Sequence, residues 1–351
     1  MPESAATTVA ALGEFALIAR LAAILSEVGA ASAPDFLGIG DDAAIWSPTP
    51  GTRSVISTDS LIEGVHFRLD WTTWRDLGHK ALAVNLSDIA AMGARPRLAV
   101  LSLGLTGQEP VAGLLDLYRG LGALAAQHDV VIAGGDIVAS PDRLGLHVTV
   151  VGESWPEADG RLLTRDTARP GDLLAVGGPL GLSAAGLELL LATPTSPPTG
   201  AADAHFLAAH HRPTPRIAYG RALVAAGVRA AMDLSDGLWG DLTKLCERSG
   251  VAARVDAALL PVPADLKTRF PDRWLHLATR GGEDYELLFA ADAAALERLA
   301  ARCAAHGLPP ATVIGALQAA PGGKPAIGLR HPDGAEESIS GGAFDHFARS
   351  D

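Results

Sequence analysis

The stretch KALAVNLSDIAAMGA, residues 80–94, carries much of what can be predicted about this chain. Its surroundings predict one long helix over residues 73–92, which Gly93 ends. Asp88 then lies inside the helix, and a buried mid-helix carboxylate is costly unless it is paired or bound to a metal ion. The stretch therefore predicts either a helix that brings an acid to a functional site or a structurally paired aspartate.

Strands and helices alternate on both sides of this helix. In the first half the patterns predict helices at 13–29, 73–92 and 110–128, and strands at 43–46, 53–57, 98–105, 130–133 and 144–151. In the second half they predict helices at 182–191, 215–226, 238–248 and 293–306, and strands at 173–176, 230–233 and 285–290. The segment 153–172, rich in Pro, Gly and charge, separates the halves. We predict an α/β (α+β) protein with two domains, residues 1–153 and 154–351.

Composition narrows the function classes. Hydrophobic residues make up 48% of the 351 residues and charged residues 19%, which favours a packed core over disorder. The net charge of −12, without a basic run, argues against binding nucleic acid through its phosphates. Cys246 and Cys303 are too few for a disulfide framework and are expected to be buried. The start of the chain lacks a basic segment and no apolar run could span a bilayer, so we expect a cytoplasmic protein with no membrane partner.

Aspartates recur in short turns beside strand or helix ends. They are Asp41 and Asp42 in GIGDD, Asp59 in STD, Asp88 in NLSD, Asp136 in GGD, and Asp233 and Asp236 in DLSDG. Carboxylates of this kind suit Mg²⁺, which takes one or two per ion and completes its shell with water and phosphate oxygens. The hydroxyls of Ser57 and Thr58 have the same character. The alternative for each single aspartate is an ordinary turn or helix cap.

Three glycine-rich turns, at residues 134–136, 177–181 and 281–284, could bring backbone N–H groups close to a phosphate. None has the Walker A pattern, and ordinary turns are the alternative. His66 could contact a phosphate or move a proton, and Arg165 could clamp a phosphate; each could equally be structural or solvated. No Ser-His-Asp arrangement supports covalent catalysis.

The motifs occur in one order along nearly the whole chain: GEFALI (13–18), GIGDDAA (38–44), STDSLIEGVHF (57–67), KALAVNLSDIAAMGA (80–94), GGD (134–136), HRPTPR (211–216), DLSDGL (233–238) and GGEDYEL (281–287). In this order they closely resemble the thiamine-monophosphate kinases of the aminoimidazole-ribonucleotide synthetase-like ATP-binding superfamily. The resemblance implies direct in-line transfer of the γ-phosphoryl group of ATP to thiamine monophosphate, assisted by several Mg²⁺ ions. It implies two α/β domains: an N-terminal ATP- and Mg²⁺-binding domain whose mixed sheet is shared in a homodimer, and a C-terminal domain that completes the site.

The resemblance also assigns roles to residues. It implies metal ligation by Asp42, Ser57, Thr58, Asp59, Asp88, Asp136, Asp233 and Asp236. It implies ATP contacts from Asp42, Tyr118, Gly135, Asp136, Arg165 and Ser235. It implies substrate contacts from His66, Glu283 and Phe344, the last because an aromatic face suits the cationic thiazolium. For Tyr118 and Phe344, packing in the core and capping of the core are the alternatives.

Other activities, within this superfamily and outside it, are alternatives. Within the superfamily, a selenophosphate synthetase is expected to carry an N-terminal cysteine and a hydrogenase-maturation protein a C-terminal one, whereas this sequence ends in FARSD. The purine-pathway synthetase has a different loop in place of residues 57–67 of this chain. Outside the superfamily, a metal-dependent phosphatase or a nucleotide-binding module without turnover would also use clustered carboxylates.

Overall fold

The computed structural model describes residues 7–31, 33, 36–193, 200 and 203–339. The chain forms two compact units. Unit 1 comprises Met1–Ile89 and Arg95–Gly160, and unit 2 comprises Ala90–Ala94 and Arg161–Asp351. The division after Gly160 falls inside the Pro- and Gly-rich segment 153–172. Within the described residues, no helix has both the length and the apolar character needed to cross a bilayer.

Unit 1 is built around a four-stranded mixed sheet. Its helices are α1 (Val9–Leu12), α2 (Glu14–Glu27), α3 (Trp74–Ala91) and α4 (Val111–Gln127). Its strands are β1 (Phe36–Leu37), β2 (Ile45–Trp46), β3 (Ser54–Ile62), β4 (Ala94–Leu105), β5 (Val131–Ala139) and β6 (Gly145–Ser154). The sheet has the order β3-β6-β4-β5, with β3 and β6 antiparallel and β4 and β5 parallel. Strands β1 and β2 form a separate antiparallel pair.

Two glycines let α3 and α4 approach each other closely. A Cβ atom on Gly78 would lie 1.9 Å from the carbonyl oxygen of Leu117, and one on Gly120 would lie 1.9 Å from that of Arg75. Since real Cβ atoms do not come so near backbone, both positions require glycine. The buried side chain of Leu114 lies in the same helix α4. The close approach of α3 and α4 at Gly78 and Gly120 fixes the position of α3, which carries Asp88.

Unit 2 contains a seven-stranded sheet with helices. Its helices are α5 (Leu182–Ala192), α6 (Ala204–His211), α7 (Ile217–Ala226), α8 (Leu238–Ser249), α9 (Ala264–Arg269), α10 (Trp274–Arg280) and α11 (Ala293–His306). Its strands are β7 (Leu173–Val176), β8 (Ala230–Asp233), β9 (Val251–Asp256), β10 (Leu287–Ala291), β11 (Thr312–Ala319), β12 (Ile327–Arg330) and β13 (Glu336–Ile339). The order is β13-β12-β9-β11-β7-β10-β8. Trp239, Phe206 and Leu242 are buried in its core.

The predicted class, a mixed α/β protein with two domains, agrees with this architecture, but several elements differ. Strand β3 continues to Ile62 and β5 to Ala139, beyond the predicted ends at 57 and 133. Both extensions carry polar or glycine residues that weaken an apolar strand pattern. The unit 2 sheet is largely antiparallel, and strands β9 and β11–β13 were not predicted. Cys246 and Cys303 are buried and unpaired, as expected.

Candidate active site

In unit 1, β3 and α3 bring two carboxylates together. Alternation along a strand puts Ser57 and Asp59 on one face of β3, and the Ser57 hydroxyl donates a hydrogen bond to the Asp88 carboxylate. Burial and, to a smaller extent, the neighbouring negative charge of Asp88 together raise the pKa of Asp59 to about 6. The Thr58 hydroxyl instead donates to the carbonyl oxygen of Val148 at 3.0 Å, on the opposite face. The structure therefore brings Ser57, Asp59 and Asp88 together.

A cavity of about 530 Å³ is lined by α2, α4, the loop of residues 38–44 and the middle of β4 and β5. Four of the six residues expected to contact ATP line it, namely Asp42, Tyr118, Gly135 and Asp136. Both aspartates are exposed. Tyr118 is buried, and burial raises the pKa of its phenol above the ordinary range, so the ring is neutral. The cavity combines an apolar wall with exposed carboxylates.

Gly135 is required by the sheet itself. A Cβ atom there would lie 2.0 Å from the carbonyl oxygen of Leu101 on β4, whereas a Cβ on Gly134 would meet nothing within 4 Å. Phosphate approach was the sequence-based explanation for this glycine pair. Strand packing is a sufficient reason for Gly135, and only Gly134 leaves open space.

His66 lies in the turn after β3. Its Nδ1 accepts a hydrogen bond from the backbone N–H of Ile62 at 3.1 Å, and the backbone N–H of His66 donates to the Ile62 carbonyl at 2.9 Å. Because Nδ1 is an acceptor, the neutral ring carries its proton on Nε2.

In unit 2, the DLSDG loop follows β8 and is organised by an aspartate that sequence reasoning missed. The Asp241 carboxylate accepts hydrogen bonds from the backbone N–H groups of Ser235 and Asp236, each at 2.9 Å. The Lys244 Nζ lies 2.5 Å from Asp236 and 2.8 Å from Asp241. Burial raises the pKa of Asp241, although Lys244 opposes the shift. Asp233 is buried at the end of β8. The sequence signal for Asp241 was an acid in the first turn of α8.

The GGEDYE loop, residues 281–286, packs on the DLSDG loop. The N–H groups of Glu283 and Tyr285 donate to the carbonyl oxygens of Ser235 and Leu234, both at 2.9 Å. Glu283 and Tyr285 have φ values of +67° and +49°, in the left-handed region that non-glycine residues rarely adopt. Such strained positions are concentrated at functional sites.

The carboxylates that flank Tyr285 hold neighbouring segments. Asp284 accepts hydrogen bonds from the N–H of Gly181 at 2.7 Å and of Ser183 at 3.3 Å, at the start of α5. Burial raises the pKa of Asp284 to about 7, against these hydrogen bonds. The buried carboxylate of Glu286 forms a two-point ion pair with Arg216.

Arg165 is exposed, and its backbone is held because its carbonyl accepts a hydrogen bond from the Ser249 hydroxyl at 2.7 Å. Phe344 lies outside the described residues. In the parts of the chain that the structure describes, no three His, Cys, Asp or Glu side chains form a group that could hold a metal ion.

Comparison with known proteins adds the family. Residues 40–154 match the family described as AIR synthase related protein, N-terminal domain, and residues 169–328 match AIR synthase related protein, C-terminal domain. The thiamine-monophosphate kinase of Escherichia coli K12 is 42% identical over 283 residues, covering 80% of this chain and 82% of the relative.

Solved structures of similar proteins indicate the same family. The thiamine-monophosphate kinase of Stenotrophomonas maltophilia K279a is 38% identical, with a TM-score of 0.78, over 91% of this chain and 96% of that one. A structure named "AaThiL complexed with AMPPCP and TMP" is 32% identical, with a TM-score of 0.74, over 96% of this chain and 97% of that one. The chain therefore belongs to the thiamine-monophosphate kinase family and is a thiamine-phosphate kinase.

Proposed function

We propose that this kinase transfers the γ-phosphoryl group of ATP directly to the phosphate of thiamine monophosphate, giving thiamine diphosphate and ADP without a phosphoenzyme. The relatives named above support the substrates, and the neighbour named as a complex with AMPPCP and TMP supports a site that takes a nucleotide analogue and a second ligand. Direct transfer needs mainly positioning and charge stabilisation.

The observation that carries the proposal is the cavity in unit 1. Asp42, Tyr118 and the pair Gly135 and Asp136 come from three separate stretches of the chain, yet line the same 530 Å³ space. We infer that this is the nucleotide site, with the apolar wall receiving the base and the exposed carboxylates facing the phosphates through metal. Arg165 and Ser235 are proposed as further ATP contacts, as the family resemblance implies.

The donor set fits Mg²⁺. Asp59 and Asp88 are neighbouring carboxylates with the Ser57 hydroxyl beside them, all hard oxygen donors. Mg²⁺ usually takes only one or two carboxylates, so binding does not require a group of three His, Cys, Asp or Glu side chains. Bound Mg²⁺ would supply the positive charge that lets two anions meet. We propose Ser57, Asp59 and Asp88 as one ligand group. Further ligand positions are Asp42, Thr58, Asp136, Asp233 and Asp236, and a metal at Asp236 competes with Lys244.

The acceptor is proposed to contact His66, Glu283 and Phe344. The proton on Nε2 of the neutral His66 ring could be donated to a phosphate oxygen. The Glu283 carboxylate would attract the cationic thiamine moiety, and its side chain is 27% exposed, which leaves it accessible. The role of Phe344 stays a prediction from the resemblance.

One assay tests the reaction. The protein is incubated with ATP and Mg²⁺, with and without thiamine monophosphate, and thiamine diphosphate, ADP and free phosphate are measured. The proposal expects equal amounts of ADP and thiamine diphosphate, only when the acceptor is present. Free phosphate without the acceptor would indicate a metal-dependent phosphatase. Nucleotide binding without turnover would indicate a nucleotide-binding module that is not an enzyme.

A homodimer through the unit 1 sheet is also proposed. The order β3-β6-β4-β5 leaves β3 and β5 as the edge strands, and they expose Ile56 and Val138 to 69% and 50%. Uncovered edges of this kind favour pairing with another chain. Sedimentation analysis of the wild type and Ile56→Lys tests it, since a dimer in the first and a monomer in the second are expected.

A further inference from the structure

We propose that His210 is a positioning residue, which holds the Glu283 carboxylate in the orientation that meets the acceptor; this rests on the proposed substrate contact of Glu283. His210 lies near the end of α6, and its side chain is only 9% exposed. Its Nδ1 atom is 3.2 Å from Oε2 of Glu283. It is also 3.1 Å from Oγ of the buried Ser183.

The partner that orients the imidazole is itself fixed. Ser183 lies in the first turn of α5, where its backbone N–H donates to the carboxylate of Asp284 at 3.3 Å. Asp284 also accepts from the N–H of Gly181 at 2.7 Å. The residue after Glu283 therefore holds the start of α5, and α5 in turn holds His210 against Glu283. This closed arrangement defines one geometry for the imidazole.

The backbone of Glu283 is also constrained, but its side chain needs a further contact. Its φ of +67° and the hydrogen bond from its N–H to Ser235 fix where the side chain begins. A glutamate side chain still has three rotatable bonds, and restricting them when substrate binds costs conformational entropy. The contact with His210 restricts them beforehand, while 27% of the side chain stays exposed for the acceptor.

The structure suggests variants that separate positioning from packing. His210→Asn keeps an N–H donor near the place of Nδ1, His210→Gln moves it towards Nε2, and His210→Leu removes it. We expect His210→Leu to raise KM for thiamine monophosphate about tenfold, as loss of a group that orients a ligand commonly does. KM for ATP should change less than twofold. His210→Asn should restore most of the acceptor affinity and His210→Gln should not.

A matched control comes from the same helix. His205 is exposed and pairs with Asp265 at 2.8 Å, so His205→Leu removes an imidazole from α6 without touching Glu283. Its kinetic constants should match the wild type. Thermal unfolding of each variant is measured beside the kinetics. Equal increases in both KM values, or no difference between His210→Asn and His210→Gln, would mean a merely structural role and would overturn the proposal.

A double-mutant cycle tests whether His210 acts through Glu283. Glu283→Gln should raise KM for thiamine monophosphate, and adding His210→Leu should then change it less than twofold, because coupled residues are not additive. Multiplied effects would reject the positioning role and keep the substrate contact. A normal KM for thiamine monophosphate in Glu283→Gln would instead reject the substrate contact and, with it, the role of His210.

Discussion

The acidic groups of the two units have different neighbours. In unit 1, Asp59 lies beside another carboxylate, that of Asp88, and its pKa is raised by burial and by that negative charge. In unit 2, the carboxylates face positive groups or N–H donors: Asp236 contacts Lys244, and Glu286 contacts Arg216. The unit 1 pair adds repulsion to the fold, whereas the unit 2 groups hold loops together.

This difference indicates that similar motifs have different roles in the two units. Two neighbouring carboxylates are unfavourable unless a cation balances them, so the group around Asp88 is suited to a ligand that brings positive charge. In unit 2, Asp241, Asp284 and Glu286 are paired with Lys244, backbone N–H groups and Arg216, and they hold neighbouring segments in place. STD and DLSDG look alike in the sequence, but STD places Asp59 beside the carboxylate of Asp88, whereas Asp236 of DLSDG shares Lys244 with Asp241.

The largest effect is expected from Asp88→Asn. The amide keeps the size of the side chain and can still accept the Ser57 hydrogen bond, but it lacks the charge needed for Mg²⁺. We expect kcat to fall about 1,000-fold, the upper range for losing one electrostatic contact at a reacting centre. The unfolding temperature should stay equal or rise, since repulsion with Asp59 is removed.

Asp116→Asn is the matched control for this substitution. Asp116 is an exposed residue of α4 that pairs with Arg119 at 2.9 Å, and its replacement should leave kcat unchanged. Steady-state assays over a range of Mg²⁺ concentrations measure both variants. Normal turnover by Asp88→Asn at low Mg²⁺ would contradict the metal role.

Arg216→Met tests the opposite side of the comparison. It leaves the Glu286 carboxylate, whose side chain is 3% exposed, without its guanidinium partner. We expect the free energy of unfolding to fall by about 3 kcal/mol, as for other broken buried ion pairs. Urea denaturation measures it. Arg119→Met, which breaks an exposed pair, should cost less than about 1 kcal/mol, and similar losses in both variants would refute the distinction.

Sequence patterns were sufficient where local signals were strong. Helix α3 was expected over 73–92 and spans Trp74–Ala91, while the strands at 173–176 and 230–233 have the bounds that were predicted. A continuous apolar pattern and a glycine stop explain the helix. Short buried runs explain the two strands. Asp88 was singled out for the same reason, since an acid inside an apolar helix conflicts with its surroundings.

Other features depend on partners distant in the chain, and local patterns do not contain them. Strand β9, Val251–Asp256, pairs with β11 and β12, so its place in the sheet depends on tertiary pairing. Asp241 matters because of two backbone N–H groups in a neighbouring loop. Gly135 is required by the Leu101 carbonyl on another strand. A pattern of residue types predicts elements better than it predicts such contacts.

Gly135→Ala and Gly134→Ala form a matched pair for the unit 1 cavity. The new methyl group at Gly135 would lie 2.0 Å from backbone, so β4 and β5 must separate. We expect a loss of about 2 kcal/mol in unfolding free energy, typical of overpacking. Gly134→Ala meets open space and should cost less than about 0.5 kcal/mol. Urea denaturation compares them, and equal losses would show that strand packing is not what requires Gly135.

The most gradual effect concerns pH. The pKa of Asp284 is about 7 in the folded protein and 3.8 ordinarily, so the folded state holds this proton more tightly. The stability that this proton contributes is complete below about pH 4 and is lost as pH rises through 7. Asp284→Asn stays neutral, and its amide oxygen can still accept from Gly181. The variant should therefore gain stability relative to the wild type as pH rises from 4 to 7, by about 1 kcal/mol for each pH unit. Urea denaturation at several pH values measures the difference, and parallel pH curves for the two proteins would mean that Asp284 is ionised in the fold, as a carboxylate held by two backbone N–H groups.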